Sequence, residues 1–201
     1  MGERETWTTD EFGDSHEGAV GVLLPDGTVP EPVYLILTEH GAGRTSTQWT
    51  VYDGSAGLRP RAHALRAVCS CGWTGAARAL DWDRIGERPL GEAALDLATA
   101  CEEEWDGHAA EVERSAVALP EEIDELLRRL ADGIEALGKD SPLAALRAAR
   151  LLEVTAERTA YWPAHDARRD LSLEETSAAL GLNEDGARRL LGRFGRWSPY
   201  S

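Results

Sequence analysis

The hydrophobic period of this chain changes once, near residue 90. Before that point, short runs rich in β-branched residues lie between turn signals. After it, apolar residues recur every three to four positions over long stretches. Strands followed by helices make an α+β protein, with an N-terminal antiparallel sheet and a helical C-terminal half. Leu119-Pro120 stops one helix and starts the next, so the expected division is a β-rich domain over 1–118, including a closing helix, and a helical domain over 119–201.

Four strands are expected. Residues 18–24 end at the turn Pro25-Asp26-Gly27, and 32–38 follow with Val33, Tyr34, Leu35 and Ile36. Residues 45–53 alternate, which puts Trp49 and Val51 on one face and Thr50 and Tyr52 on the other. In 64–73 the positions Leu65, Ala67, Cys69, Cys71 and Trp73 share a face. A loop holding Trp82 and Pro89 then leads to a helix from Gly91 to about Ala118, with Leu95, Ala98, Trp105 and Val112 on its apolar side. In the next helix Ile123, Leu126, Leu127, Leu130, Ile134 and Leu137 recur at helical spacing up to Gly138. A further helix runs from Ser141-Pro142 to about Trp162, where Pro163 disfavours continuation.

Cys69 and Cys71 are two thiols one residue apart, placed by strand alternation to bite a single ion. Three cysteines in all, two in this spacing, suit a metal site in a reduced compartment better than a disulfide framework. His108, on the following helix, is the best third ligand, and the cofactor expected is zinc. A closed site wants a fourth. Cys101 lies seven residues before His108, about 10.5 Å along a straight helix. His63 shares the thiol face but sits roughly 20 Å from Cys69 on a regular strand. Glu104 offers a carboxylate one turn before His108, and His16, His40 and His165 have no partner at a recognisable spacing. In the competing reading, Cys69 and Cys71 are small buried hydrophobes beside Trp73.

Ala67-Val68-Cys69-Ser70-Cys71-Gly72-Trp73-Thr74-Gly75, followed by Trp105-x-x-His108, resembles a C-x-C-G-W…W-x-x-H pattern of actinobacterial proteins over about residues 45–110. The resemblance implies that these residues act together and carries no activity with it.

A second constellation lies at the C-terminus. Ser172 can cap a helix, Ser177 and Ala178 permit close crossing, Gly181 turns the chain, and Leu182, Ala187 and Leu190 bury a second helix against the first. Residues 172–192 resemble the helix-turn-helix of sigma-like and repressor-like regulators. That resemblance implies a groove-facing second helix offering Asn183, Arg188 and Arg189, with Arg193 and Arg196 beyond them. Glu184 and Asp185 depart from such a surface. The competing reading is a three-helix bundle with a solvated arginine face.

Charge locates any nucleic-acid contact. The chain carries −15, yet residues 142–201 hold 9 bases against 8 acids, while 1–60 hold 3 against 10. An acidic chain disfavours loose phosphate binding, so DNA contact belongs to the C-terminal third. There is no Gly-rich phosphate loop, G-x-S-x-G elbow or H-E-x-x-H motif, no apolar run of membrane-spanning length, and no signal-like N-terminus. The expectation is a cytoplasmic, non-enzymatic regulatory or accessory protein that associates with DNA. The alternatives are an acidic protein-interaction module, such as a phage- or plasmid-related accessory factor, and a metal-dependent enzyme with an open position at Cys69, Cys71 and His108.

Overall fold

The structure is a computed structural model in which residues 5–36, 43–55 and 59–196 are described. It divides into two compact units, Met1–Val112 and Glu113–Ser201.

In the first unit, β1 (Gly18–Leu23) pairs antiparallel with β4 (Ala64–Cys69) in the register Gly18 opposite Cys69 through Leu23 opposite Ala64. β5 (Arg78–Ala79) adds to the other edge of β4. β2 (Val33–Ile36) and β3 (Gly43–Ser46) form a separate hairpin. Leu37, Thr38 and His40, which belong to the expected second strand and the histidine inventory, lie outside the described residues. The alternation expected in 64–73 holds as far as Cys69, with Leu65 and Ala67 fully buried.

Two strand expectations are corrected. Beyond Ser46 the chain does not stay extended: a 3-10 turn spans Trp49–Val51, so Trp49 and Tyr52, three residues apart, both enter the core instead of facing opposite sides. β4 also ends at Cys69. The Gly72 N–H donates to the Cys69 carbonyl (2.9 Å) and the Cys69 N–H to the Trp73 carbonyl (2.9 Å), closing a tight turn in which Gly72 takes φ +96°. That conformation suits a residue without a Cβ.

Two short helices, α1 (Trp82–Ile85) and α2 (Leu90–Ala93), occupy the expected loop region. Asp81 caps α1, and the Trp82 indole N–H donates to the Ala62 carbonyl at 2.7 Å. α3 (Leu95–Ser115) then buries Ala98, Cys101, Trp105 and Ala109 at helical spacing against the sheet core, while Leu95 is exposed.

The second unit is helical: α4 (Glu121–Asp140), α5 (Pro142–Asp170), α6 (Leu173–Ala179) and α7 (Glu184–Phe194). α5 passes through Pro163, where a stop is expected. An interior proline costs a helix about 3 kcal/mol. Here the exposed Pro163 borders an apolar groove with Ala164, Ala167, Leu171 and residues of α6 and α7, and α5 runs on past it with Ala164 buried. Ser172 caps α6 in a reciprocal capping box with Glu175, and Gly181 turns the chain at φ +61°. No described helix is long and apolar enough to cross a membrane.

Candidate metal centre

Four side chains from three places in the chain converge at one end of the β1–β4 pair: His16, Cys69, Cys71 and His108. Their ligand atoms all lie within 4.8 Å of one another. His16 Nδ1 is 3.3 Å from His108 Nε2 and 3.6 Å from Cys69 Sγ, and Cys71 Sγ is 3.4 Å from His108 Nε2. His16 and Cys69 are buried, and Cys71 and His108 half-buried. The group can hold a metal ion through four protein ligands.

Each position has a local cause. Cys69 ends β4 facing the core, and the Gly72 turn swings Cys71 back beside it, so the turn brings the thiols together where strand alternation was expected to. The Trp73 N–H points at Cys71 Sγ (3.4 Å). His16 ends a 3-10 turn, Gly13–His16, just before β1. The pairing that puts Gly18 opposite Cys69 continues outward, with the Ser70 N–H donating to the Glu17 carbonyl at 2.8 Å, so position 16 falls opposite 71. Ser70, the residue between the thiols, ties the two segments together. Its Oγ accepts from the Glu17 N–H (2.9 Å) and donates to the Asp14 carbonyl (2.8 Å).

His108 is placed by aromatic and ionic contacts. The Trp73 ring stacks flat on the imidazole, with centroids 4.4 Å apart and planes 2° apart. Trp105, one turn earlier, sits in the core beside Trp7 and so close to Gly18 that any Cβ there would overlap its indole. Glu104 accepts from the Ala76 N–H at 2.8 Å and pairs with Arg78, fastening α3 to the segment that leaves the cysteine turn.

The electrostatics favour a bound cation. Hydrogen bonding from Cys71 pulls the Cys69 thiol down to about 4 against the opposing effect of burial, while Cys71, facing that thiolate, is pushed far above the ordinary thiol range. The two sulfurs oppose each other's ionisation, and a cation between them would favour both thiolates. Among the groups favouring the Cys69 thiolate is the Trp105 side chain, whose Nε1 is buried without a conventional hydrogen-bond partner.

The fourth member of the cluster is thus none of those weighed from spacing. Cys101 is fully buried in the core, its thiol raised to about 11 by burial. His63 is exposed, and Glu104 is committed to Arg78 and Ala76. His16, which has no partner at a recognisable spacing in the sequence, takes that place in the cluster. The only signal that could have found it is the strand register, which counts position 16 opposite 71.

At the other candidate site, Asn183 caps α7, its Oδ1 accepting from the Gly186 N–H at 2.7 Å. Arg188 pairs with Glu184 and Asp185 on its own helix, and Arg193 pairs with Glu153 and Glu157 of α5. Arg188, Arg189, Arg193 and Arg196 line an open cleft of about 640 Å³ together with Glu157. Among the described residues, Arg189 and Arg196 have no ion-pair partner. Compared with protein-family models, curated proteins and solved structures, the chain gave no match.

Proposed function

We propose that His16, Cys69, Cys71 and His108 hold a structural zinc ion that pins the first unit. The observation carrying this reading is the spacing of the ligand atoms. A tetrahedral Zn²⁺ with Zn–N near 2.05 Å and Zn–S near 2.3 Å separates its ligands by about 3.3 Å between nitrogens and about 3.6 Å between nitrogen and sulfur. The corresponding distances here are 3.3 Å for the histidine pair and 3.6 and 3.4 Å for two of the four Cys–His pairs, with all four ligand atoms within 4.8 Å of one another. A Cys₂His₂ donor set suits zinc, and four protein ligands leave no open position for substrate, which favours a structural over a catalytic ion. Trp73 and Ser70 act on the ligands from outside, one orienting the His108 ring and the other the two ligand segments. The C-x-C-G-W…W-x-x-H pattern is then a metal-site pattern with one ligand outside it. Free thiols at such a site suit the reducing cytoplasm. Elemental analysis of the purified chain tests the reading. About one zinc per chain, lost in both Cys69→Ser/Cys71→Ser and His16→Ala, is expected; freshly reduced protein free of metal would end it.

The second unit carries the functional part of the proposal, that of a non-enzymatic regulatory or accessory protein associated with DNA. The supporting observation is the arginine-lined cleft between α5 and α7, beside the capped α6–turn–α7 unit. The Asn183 carbonyl is taken by its cap, so contact rests on arginine. The ion pairs of Arg188 and Arg193 are exposed and worth about 0–1 kcal/mol each, little enough for a phosphate to displace. Salt-dependent retention of duplex DNA that falls in Arg188→Ala/Arg189→Ala is the expected result. No retention at low salt would leave the acidic protein-interaction module as the better reading.

A further inference from the structure

Helix α4 is strongly amphipathic, yet none of its residues is buried. Ile123, Leu127, Leu130, Ile134 and Leu137 follow one another at spacings of four, three, four and three, the apolar seam of a heptad. The outward positions carry Glu125, Arg128, Arg129, Asp132, Glu135 and Lys139. Most positions flanking the seam are apolar or small: Leu126, Ala131, Gly133 and Gly138. A face this wide belongs to a bundle helix with a neighbour on each side.

α5 supplies one neighbour and covers little. A Cβ at Gly138 would lie 3.7 Å from that of Ala145, which sets the hairpin's register. The partly buried positions at the start of α5 are Ala144, Ala145 and Ala148, too small to cap the leucines opposite. Leu126, Leu127 and Leu130 stay 52%, 48% and 43% exposed.

We propose that a second copy of this chain covers this face, the α4–α5 hairpins of two chains closing a four-helix bundle about a two-fold axis. The inference stands apart from the zinc and DNA readings. Self-pairing is favoured by symmetry: the seam is nearly palindromic about Leu130, so antiparallel α4 helices set Ile123 opposite Leu137 and Leu127 opposite Ile134, as a two-fold interface requires. Area agrees. The exposed apolar side chains of α4, with Leu151 and Leu152 of α5, offer roughly 550 Å² per chain. With apolar atoms at about 65% of a homodimer interface, the footprint is roughly 850 Å² per partner, the size of a standard stable interface. Arg128 and Lys139 already pair with Glu125 and Glu135 on the same helix, so the rim presents no unpaired basic block to an acidic partner.

α4 carries seven acids against three bases, so two copies bring like charge together and the dimer tightens as salt screens it. A basic partner on the same face would weaken with salt. The test is sedimentation equilibrium of the full chain across the micromolar range at two salt concentrations. The expected mass is twice 21.8 kDa, with tighter association at high salt. Leu127→Glu/Leu130→Glu is expected to sediment at 21.8 kDa with its helical circular dichroism retained, a dissociation constant at least roughly tenfold weaker. If that variant loses helicity, Leu127→Gln/Leu130→Gln, which keeps good helix formers, is read the same way. A wild-type chain that stays at the monomer mass overturns the proposal. So does a dimer untouched by the seam variants, or one that salt dissociates.

Discussion

The two units solve the burial problem in opposite ways. The first packs its strands, the short helices α1 and α2, and α3 so closely that Leu65, Ala67 and Cys101 lose all contact with solvent, and it sets a polar four-residue centre at one end of its central strand pair. In the second, Ala164 and Ala187 are the only buried apolar side chains among the described residues, and helices held by local caps leave leucines half-exposed. A sheet covered by several elements closes its core, whereas a two-helix hairpin such as α4–α5 leaves part of each apolar stripe in water. The first unit therefore carries a closed core and a tertiary cluster, and the second leaves an apolar helix face exposed.

The largest expected effect tests whether the centre, and not the core alone, holds the first unit. Stripping the metal, or replacing His16 with Ala, should remove several kcal/mol, since structural zinc contributes about 10–16 kcal/mol of apparent binding energy at neutral pH. Near-ultraviolet dichroism from Trp7, Trp49, Trp73 and Trp105 would collapse while the helical signal of the second unit persists. Simultaneous loss of both would mean the units are not separate in stability. Next comes Ser70→Ala, which deletes both side-chain ties between the ligand segments and leaves the Ser70 N–H to Glu17 carbonyl bond in place. A cost of about 2 kcal/mol in thermal or denaturant unfolding is expected, with metal affinity down by about 10–100-fold in a chelator competition. Unchanged metal affinity would make Ser70 a bystander.

In the second unit, Ser172→Ala removes the cap of α6 and should cost about 1 kcal/mol in chemical denaturation, leaving zinc content untouched. The smallest effect concerns acid. The Ala76 N–H, and after it Arg78, hold the Glu104 carboxyl below its ordinary value of 4.5, with burial opposing. A depressed carboxyl stabilises the fold above its unfolded pKa, and that contribution disappears as pH falls through the folded one. Stability of the wild type should therefore drop more steeply below about pH 4.5 than that of Glu104→Gln, and parallel acid limbs in urea titrations would show that the contact contributes nothing.

Legibility followed the range of the interactions. The α+β order, the β1 and β4 strands, α4, the Ser172 cap and the Gly181 turn were readable because each depends on neighbours within about a turn or a strand alternation. The failures were places where distant packing overrode a local rule. Trp49 and Tyr52 entered the core through a 3-10 turn, although their surroundings alternate. α5 ran on through Pro163, with Ala164 buried and its far half bordering a groove shared with α6 and α7.

The centre divides along the same line. By itself the sequence determined that Cys69 and Cys71 are a close-spaced pair of thiols and put His108 forward as their candidate partner. Only the tertiary structure brought His108 to the pair and added His16 to the cluster. No spacing links residue 16 to residue 71; the pairing of β1 with β4 does, carried outward through Glu17 and Ser70. A ligand delivered by strand register has its partner set by hydrogen bonds between distant segments, and those exist only once the chain has folded.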